Sequence, residues 1–562
     1  MPVATAVQRV IEVDGSKLDP ACEGQLESVL VVDRLAMPDT FTLVFRDPGR
    51  DVLARAGLKV GTSVIVSTTS LTTDAPEPLI DGEVTAVEAD YDSLGTRAVV
   101  RGYDFSHRLT AGRKTKTYQN MTYADIAKQI AGAAKLGTRI DDTGTALEHV
   151  LQANQSDLDF LYAIARRIGY DCRVEAADLV FQKPVESSTA PDAADRAGDD
   201  PVQLVWNHNL LEFRARMSAV SQVAEVNVRG WDVAKKEAVI GKAQANATNA
   251  DISMSAQDLA GKVGGGTLVV VDKPVETQEA ADELAAARAE QVGSAAFEAT
   301  ALAIGSPALK AGVAVSIGGV DAALNGKWVI ASSRHEFHGG TYRTALEFTG
   351  RQDRSLTGVF GGATTPPEPR VPGVAIAIVT DNADPQEMGR VRVKYPWLAD
   401  DAESWWARVV MPGAGAGYGM VWIPQVGDEV LVAFEQGDVS RPLVLGGLWN
   451  GQDPAPFHNS EHLDSGSVTY CGFVSRTGHQ IAFWESSDDS SIQLLTTGGA
   501  MDLVLDEQNK EFRIKADGKV IIEATGDIEF KTDGAFKVKA QSELSLEAQG
   551  QVKVKGATVA LN

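Results

Sequence analysis

An eight-residue repeat near the C-terminal end of the sequence constrains the fold more than any other feature. Aligned from Lys510, the blocks read KEFRIKAD, GKVIIEAT, GDIEFKTD, GAFKVKAQ, SELSLEAQ and GQVKVKGA. The third and fifth positions of every block are apolar: Phe512, Ile514, Val520, Ile522, Ile528, Phe530, Phe536, Val538, Leu544, Leu546, Val552 and Val554. This spacing predicts short strands with one apolar face and one largely charged face.

A period of eight residues is too short for one chain to wind a closed coil around its own core. Several copies must therefore share the core, and three intertwined copies would form a triangular prism, a trimeric β-helix. The twelve apolar residues of each copy then form the trimer core. Their burial contributes roughly 18 to 36 kcal/mol per chain before the cost in chain entropy, which favours an obligate homotrimer.

Composition excludes several classes of function. The chain has 562 residues, 44% of them hydrophobic, which is enough for several folded domains. A net charge of -24 repels phosphate backbones and anionic membranes, so no nucleic-acid partner is expected. Cys22, Cys172 and Cys471 form neither a disulfide framework nor a metal cluster. The first residues lack the pattern of a signal peptide, so we expect synthesis in a bacterial cytoplasm.

Hydrophobic periodicity divides the rest of the chain. Residues 1–360 are predicted as a hub region of two β-barrel-like domains with short packing helices. One helix begins at Thr122, capped with Asp125, and ends near Gly137; another runs from Ser156 to Gly169. A third, alanine-rich helix spans about residues 277–291, and residues 183–203 and 241–266 are interpreted as loops that contact partners.

The remaining boundaries follow from prolines and strand-like runs. Residues 361–373 contain four prolines and are predicted as a linker. Residues 374–450 contain five strand-like runs, which suit an OB-like barrel. Residues 451–509 are predicted as a neck and residues 510–562 as the needle. The predicted fold class is therefore mainly β.

Several segments resemble the VgrG-like family. The segments are QSDLDFLYAIARRIGY, EMGRVRVKYPW, SWWARVVMPGAGAGYGMVWIPQVGDEVLVAFEQGDVSRPLVLGGLWN and RTGHQIAFWE. This family includes type VI secretion VgrG proteins, contractile phage tail hubs and spikes, and the spikes of extracellular contractile injection systems. The resemblance covers essentially the whole chain and implies a structural hub and membrane-piercing spike that caps an inner tube.

The resemblance also implies partners and a place of action. These are two other copies of the chain, inner tube and baseplate proteins, effector cargo and, only transiently, a target membrane. The assembled spike would sit at the tip of a contractile particle and leave the cell on firing or release. The sequence departs from the phage spike in having no room for a lysozyme domain between Asn450 and His479. Because it stops at TVALN, a separate PAAR-type tip protein is expected at the C-terminal end.

Candidate chemical sites have simpler structural interpretations. The glycines of GAGAGYG, residues 413–419, predict a tight loop followed by a strand, MVWIPQVG, rather than a phosphate loop. His335 and His338 fall on opposite faces of a strand. His458 and His462 lie in a proline-flanked loop without an apparent third metal ligand.

Two further groups of residues also have structural interpretations. Asp488 and Asp489 are interpreted as a solvated turn rather than a glycosidase pair. Trp405 and Trp406, with Arg408, are interpreted as trimer-core packing rather than a base-stacking surface. The sequence therefore predicts no catalytic site, no cofactor and no metal site, and the protein is not expected to be an enzyme.

Two other functions compete with the spike. A tail-spike polysaccharide depolymerase would need a wide β-helix with carboxylates in a groove, which octads do not build. A receptor-binding fibre would need an exposed binding head after the needle. Type VI, phage-tail and free-particle machines would all use the predicted architecture.

Overall fold

The computed structural model describes residues 8–69, 75–93, 95–194, 196, 198, 200–350, 370–457 and 462–560. The chain is mainly β-structure and divides into two compact units, Met1–Leu448 and Trp449–Asn562. Most of the predicted linker, residues 361–369, lies outside the described residues, as does His458. Among the described residues, no helix combines the length and apolar character needed to cross a membrane.

The first unit begins with an antiparallel β region, as the alternating pattern predicts. Its strands are β1 (Arg9–Val13), β2 (Ser16–Lys17), β3 (Leu26–Arg34), β4 (Thr40–Arg46), β5 (Ser63–Thr68), β6 (Glu77–Asp92) and β7 (Gly95–Asp104). Two one-turn helices, α1 (Pro20–Glu23) and α2 (Val52–Arg55), and a 3-10 helix, Phe105–Thr110, complete it. Apolar residues on alternate positions fill its core.

A mixed segment with two amphipathic helices follows. Its elements are β8 (Lys114–Met121), α3 (Tyr123–Ala133), β9 (Gly137–Ile140), β10 (Leu147–Gln155), α4 (Asp157–Ile168), β11 (Asp171–Glu175), β12 (Asp178–Gln182) and a 3-10 helix, Ser187–Thr189. The helices bury their apolar stripes in a core of their own.

The second β region extends the sheet of the first. Its elements are β13 (Gln203–Val205), β14 (Leu210–Met217), β15 (Val223–Asp232), β16 (Glu237–Gln244), β17 (Ala250–Asp251), α5 (Ala256–Lys262), β18 (Gly266–Val270), α6 (Gln278–Ser294), β19 (Phe297–Ile304), β20 (Ala314–Gly318), β21 (Gly326–Val329), β22 (Ser332–His338) and β23 (Thr341–Phe348). Because β22 pairs with β3, one eleven-stranded sheet runs through both β regions.

The first unit ends in a small barrel. Its strands are β24 (Val374–Asp381), β25 (Arg392–Lys394), β26 (Arg408–Val409), β27 (Ala414–Gly415), β28 (Tyr418–Gly419), β29 (Glu429–Phe434) and β30 (Pro442–Gly447), with a 3-10 helix, Glu435–Gly437. Five of them form one sheet in the order β25-β24-β29-β30-β26. These five strands correspond to the five runs that the sequence predicts.

The second unit is built from short strands. They are β31 (Leu463–Asp464), β32 (Ser467–Val468), β33 (Tyr470–Val474), β34 (Gln480–Glu485), β35 (Ser490–Leu495), β36 (Met501–Asp506) and β37 (Glu511–Ala516), with a 3-10 helix, Thr497–Gly499. In the single chain, residues 517–560 carry no assigned strand. The intertwined β-helix therefore stays a prediction.

Local capping explains where the helices begin. The Thr122 hydroxyl accepts a hydrogen bond from the Asp125 amide, and the Asp125 carboxylate accepts one from the Thr122 amide, as predicted. The prediction that Gly137 ends this helix is wrong, because α3 stops at Ala133 and Gly137 opens β9. Lys135, at φ 58°, makes the left-handed turn instead.

The other two predicted helices are confirmed. Ser156 caps α4, and Gly169 ends it in the left-handed conformation. The alanine-rich helix α6 is capped by Thr277 and continues to Ser294. The predicted loop 241–266 is wrong in part, because it contains α5, which begins at a capping box of Ser255 and Asp258.

Gly102 marks a tightly packed position in the first β region. A Cβ at this position would collide with the ring of Phe41 and the carbonyl oxygen of Glu83. We expect Gly102→Ala to lower the free energy of unfolding by about 1–3 kcal/mol, because the core has no room to relax. Gly132→Ala, in an open position of α3, is the matched control and should be neutral or slightly stabilising. Equal urea midpoints for the two variants would contradict this packing.

Three carboxylates, those of Asp33, Asp39 and Asp104, lie together where β3 and β7 end and β4 begins. Asp33 accepts a hydrogen bond from the amide of Ala311 (2.9 Å), and the amide of Asp104 donates to the carbonyl of Asp39 (3.0 Å). Burial raises the pKa of Asp33 to about 6 and that of Asp104 to about 6. Burial, reinforced by its two carboxylate neighbours, also raises the pKa of Asp39.

This cluster makes stability depend on pH with a definite sign. Below the ordinary aspartate pKa of 3.8, folded and unfolded chains are both protonated. Between that value and about 6 the folded chain binds more protons, so the free energy of unfolding falls as pH rises. We expect the urea midpoint to fall from pH 4 to pH 7, and Asp33→Asn to flatten the slope. The exposed Asp90→Asn is the control, and a midpoint that rises over this range would contradict the assignment.

Candidate functional site

The five strands β33 to β37 form an antiparallel meander in which each strand pairs with the next. Short turns connect them, such as the one in which the Ser486 amide donates to the Asp489 carbonyl (2.8 Å). This turn contains the Asp488–Asp489 pair, which the sequence analysis interprets as a solvated turn. We call this sheet the neck sheet.

One face of the neck sheet carries two continuous rows of apolar side chains. The first row contains Cys471, Phe483, Ile492, Leu505 and Phe512, and the second contains Phe473, Ile481, Leu494, Leu503 and Ile514. Residues directly opposite each other on neighbouring strands share a face, so the pairing alone defines both rows. We call these ten residues the apolar rows.

The apolar rows are open to solvent in the single chain. All ten side chains except the half-buried Leu503 are exposed, and Phe512 reaches 63%. The opposite face of the sheet differs, because Ala482 and Val504 are buried there and Asp502 lies 3.8 Å from Arg513. An apolar face of this size on a soluble protein marks an interaction surface.

The twelve residues predicted as the trimer core divide into two groups. Phe512 and Ile514 lie in β37 and complete the two apolar rows. The other ten fall in the segment without assigned strands and are exposed by 50% at Ile528 to 71% at Val554. The predicted boundary between neck and needle at Lys510 therefore falls inside one sheet.

Sequence analysis missed the four upstream strands of the apolar rows. Each contains the same apolar pair, two residues apart, that marks the octads, for example Ile481 with Phe483 and Ile492 with Leu494. Successive pairs are nine to eleven residues apart rather than a constant eight, so the fixed period does not detect them. A search for the pair alone would have found them.

Trp405 lies between the barrel and the helical segment of the same chain. Its ring stacks on His149 at 5.9 Å, and the Arg392 guanidinium lies 5.2 Å from it and 5.8 Å from the Trp406 ring. His149 Nε2 is also 3.1 Å from the carbonyl oxygen of Glu403, and burial lowers the pKa of His149. Trp405 therefore packs within its own chain, and its predicted place in a trimer core stays a prediction.

A cleft of about 650 Å³ adjoins this aromatic cluster. Two ion pairs connect charged residues of its lining: Arg441 pairs with Glu276, and Arg408 lies 4.0 Å from Glu435. The stack of Trp405 on His149 and the pair of Arg441 with Glu276 join the barrel to the rest of the first unit. Their arrangement suits a rigid connection.

The predicted histidine positions have structural explanations. His335 is buried against the Tyr342 hydroxyl (2.8 Å) and the Thr344 hydroxyl (3.2 Å), and burial lowers its pKa to about 3. His338 is exposed on the opposite face of the strand, as predicted. Within the described part of the chain, no group of three or more His, Cys, Asp or Glu side chains could hold a metal ion.

The glycine-rich segment forms a two-residue hairpin, in which Ala414 pairs with Gly419 and Gly415 with Tyr418. This agrees with the predicted tight loop. The prediction of a strand in MVWIPQVG is wrong, because residues 420–426 carry no assigned strand.

Two family models match the chain. The model described as the type VI secretion system/phage-baseplate injector OB domain matches residues 375–449, which contain the small barrel. The model of the Alg8 N-terminal domain matches residues 75–339, less than half of the chain. The type VI spike protein VgrG4b of Pseudomonas aeruginosa is 42% identical over 99 residues, which are 16% of this chain and 12% of that protein. Over these matched residues, the chain is similar to VgrG-like spike proteins.

Other VgrG proteins match this chain over a similarly limited part of their length. The actin cross-linking toxin VgrG1 of Vibrio cholerae is 31% identical over 160 residues, 25% of this chain and 14% of that protein. The spike protein VgrG3 of the same species is 29% identical over 174 residues, 28% of this chain and 17% of that protein. The chain thus spans far less than two thirds of these relatives.

Solved structures support the fold over a longer range. The half-lidded Francisella PdpA-VgrG complex has a TM-score of 0.51 at 9% identity and covers 92% of this chain and 89% of that chain. The lidless PdpA-VgrG complex has a TM-score of 0.50 at 9% identity and covers 91% of this chain and 99% of that chain. The predicted VgrG-like recognition, mainly β fold and OB-like barrel are therefore confirmed.

The cysteines provide a probe of the apolar rows in this VgrG-like chain. Cys22 and Cys172 are buried, whereas Cys471 is exposed in the single chain. If other copies cover the rows, iodoacetamide should label Cys471 at least tenfold more slowly in the native protein than after unfolding in urea. The control is a chain with Cys471→Ser and Ser487→Cys. Because residue 487 lies in an exposed turn, its thiol gives the labelling rate of a solvent-exposed cysteine. Equal rates at the two positions in the native protein would contradict coverage.

Proposed function

We propose that this VgrG-like chain is the structural hub and membrane-piercing spike of a contractile injection system. The observation that carries the proposal is the pair of apolar rows, which continues directly into the octads at Phe512 and Ile514. Three copies that turn these faces toward a common axis would bury the rows together with the predicted octad core. A narrow, stiff trimer of this kind concentrates the thrust of a contracting sheath.

The proposed role is mechanical rather than enzymatic. The main support for a mechanical role is the large apolar surface of the apolar rows. The free energy of association of such a surface comes from its burial, and binding through it needs no polar groups that act on a substrate. The relatives named as spike proteins support this proposal. The relative named as an actin cross-linking toxin shares only 14% of its length with this chain, so its named activity is not transferred.

The proposed partners and location follow from a spike. The hub region would cap the inner tube and contact the baseplate, and a PAAR-type tip protein would bind at the C-terminal end of the needle. Effector cargo is a further proposed partner, and the target membrane would be contacted only during firing. We propose synthesis in the cytoplasm, assembly at the tip of the particle and delivery outside the cell.

Neighbouring residues on β37 test the shared core. Ile514 belongs to an apolar row, whereas Lys515 is exposed on the opposite face of the same strand. We expect Ile514→Asp to convert the trimer into monomers, because three carboxylates would face one another near the axis without partners. Lys515→Asp is the matched control and should leave the trimer intact.

Light scattering provides the measurement, because a trimer has about three times the 59.6 kDa mass of the chain. Two outcomes would refute the shared core: a monomeric unmodified chain, or an Ile514→Asp variant that remains as fully trimeric as Lys515→Asp.

A further inference from the structure

The small barrel carries an extended segment without charge. Residues 409–427 contain no Asp, Glu, Lys or Arg, although 23% of the whole chain is charged. The segment leaves the barrel after β26 and returns to it at β29. We call residues 410–426 the arm.

The arm is attached to the barrel mainly near its two ends. The Val410 amide donates to the Val444 carbonyl (2.8 Å), and the Asn382 side-chain amide donates to the Pro424 carbonyl (3.0 Å). Between these points the backbone pairs only within the hairpin of β27 and β28, as far as the described strand pairing extends. The arm is therefore a projecting element whose middle is held by local pairing.

Most side chains of the arm are apolar, and five of the large ones are exposed, whereas Ile423 packs against the barrel core. Val421 is 84% exposed and Tyr418 74%, and Val410, Trp422 and Val426 are exposed as well. Single exposed apolar residues are ordinary, but five within seventeen residues of an uncharged segment are not. This composition predicts contact with another protein surface.

A second apolar surface lies on the outside of the same barrel. The outer residues of β24, β29 and β30 lie side by side, with Val374 opposite Ala433, Ala433 opposite Leu443, and Ile376 opposite Leu431. Val374, Ile376 and Leu445 are exposed, and the other outer residues are half-buried. We call this surface the outer face.

A ring of three copies requires two different contact surfaces on each copy. In a ring of three, each contact joins one surface of a copy to a different surface of the next copy. The arm and the outer face are two such surfaces, both apolar, and the arm adds no charge that would have to be desolvated. Three copies joined through the apolar rows would also carry three barrels in one assembly.

We propose that the arm of each copy packs across the outer face of the barrel of the next copy. The contact rests on the proposed trimer and adds a second ring of interactions at the barrel. The occupant of the outer face is thus another copy of this chain.

Cross-linking with a short bismaleimide tests the proposal in the full chain. Cys471→Ser removes the exposed native thiol, and Val421→Cys and Ile376→Cys place one thiol on the arm and one on the outer face. We expect covalent dimers and trimers on a denaturing gel, because each link joins two copies. The matched control combines Val421→Cys with Val220→Cys, because the Val220 side chain is 79% exposed but lies in the hub region rather than on the outer face. This control should give at least fivefold less cross-linked product.

The outcomes separate this proposal from the proposed function. Light scattering of the same double variant shows first whether it is a trimer. A trimer that yields only monomer bands, or that cross-links no more than the control, overturns the arm contact and leaves the spike standing. A monomer overturns both proposals.

A second pair of variants guards against distortion by the introduced thiols. Tyr418→Ser with Trp422→Ser should leave the trimer mass unchanged but make the arm at least fivefold more sensitive to a broad-specificity protease. Unchanged cleavage of the arm would overturn the contact.

Discussion

The assembly that we propose for this protein depends on burial of the apolar rows. Backbone pairing in the neck sheet is continuous from β33 to β37 within one chain, and β33 and β37 are its edge strands. The side chains of one face are not covered in that chain, since Phe483, Ile492 and Leu505 are exposed. One face of the sheet is thus partly buried within the chain, whereas the face with the apolar rows is exposed. We therefore expect this folded unit to bind a partner through the apolar rows.

The first unit is held together as a rigid body by backbone pairing and side-chain contacts. Its two β regions share one sheet through β22 and β3, so they cannot move independently without breaking backbone hydrogen bonds. The stack of His149, Trp405 and Arg392 holds the barrel against the helical segment, and the pair of Arg441 with Glu276 holds it against the second β region. These contacts suit a part that transmits force.

Local and strictly periodic features could be predicted from the sequence. Thr122 and Ser156 cap helices because their hydroxyls satisfy backbone amides a few residues away, and the five barrel strands follow from alternation. Non-local features could not. The stacking of Trp405 on His149 could not be predicted because the two residues are distant in sequence. The alternation in MVWIPQVG predicts a strand, although no neighbouring strand pairs with it. The neck sheet was missed because its spacing is irregular, while its pairing depends on turns of unequal length.

A three-dimensional reconstruction of the purified chain by cryo-electron microscopy tests the central claim most directly. The account predicts a three-fold symmetric particle in which Phe483, Ile492 and Leu505 of each copy face the axis. A monomeric particle, or a trimer in which these side chains point to solvent, would contradict it.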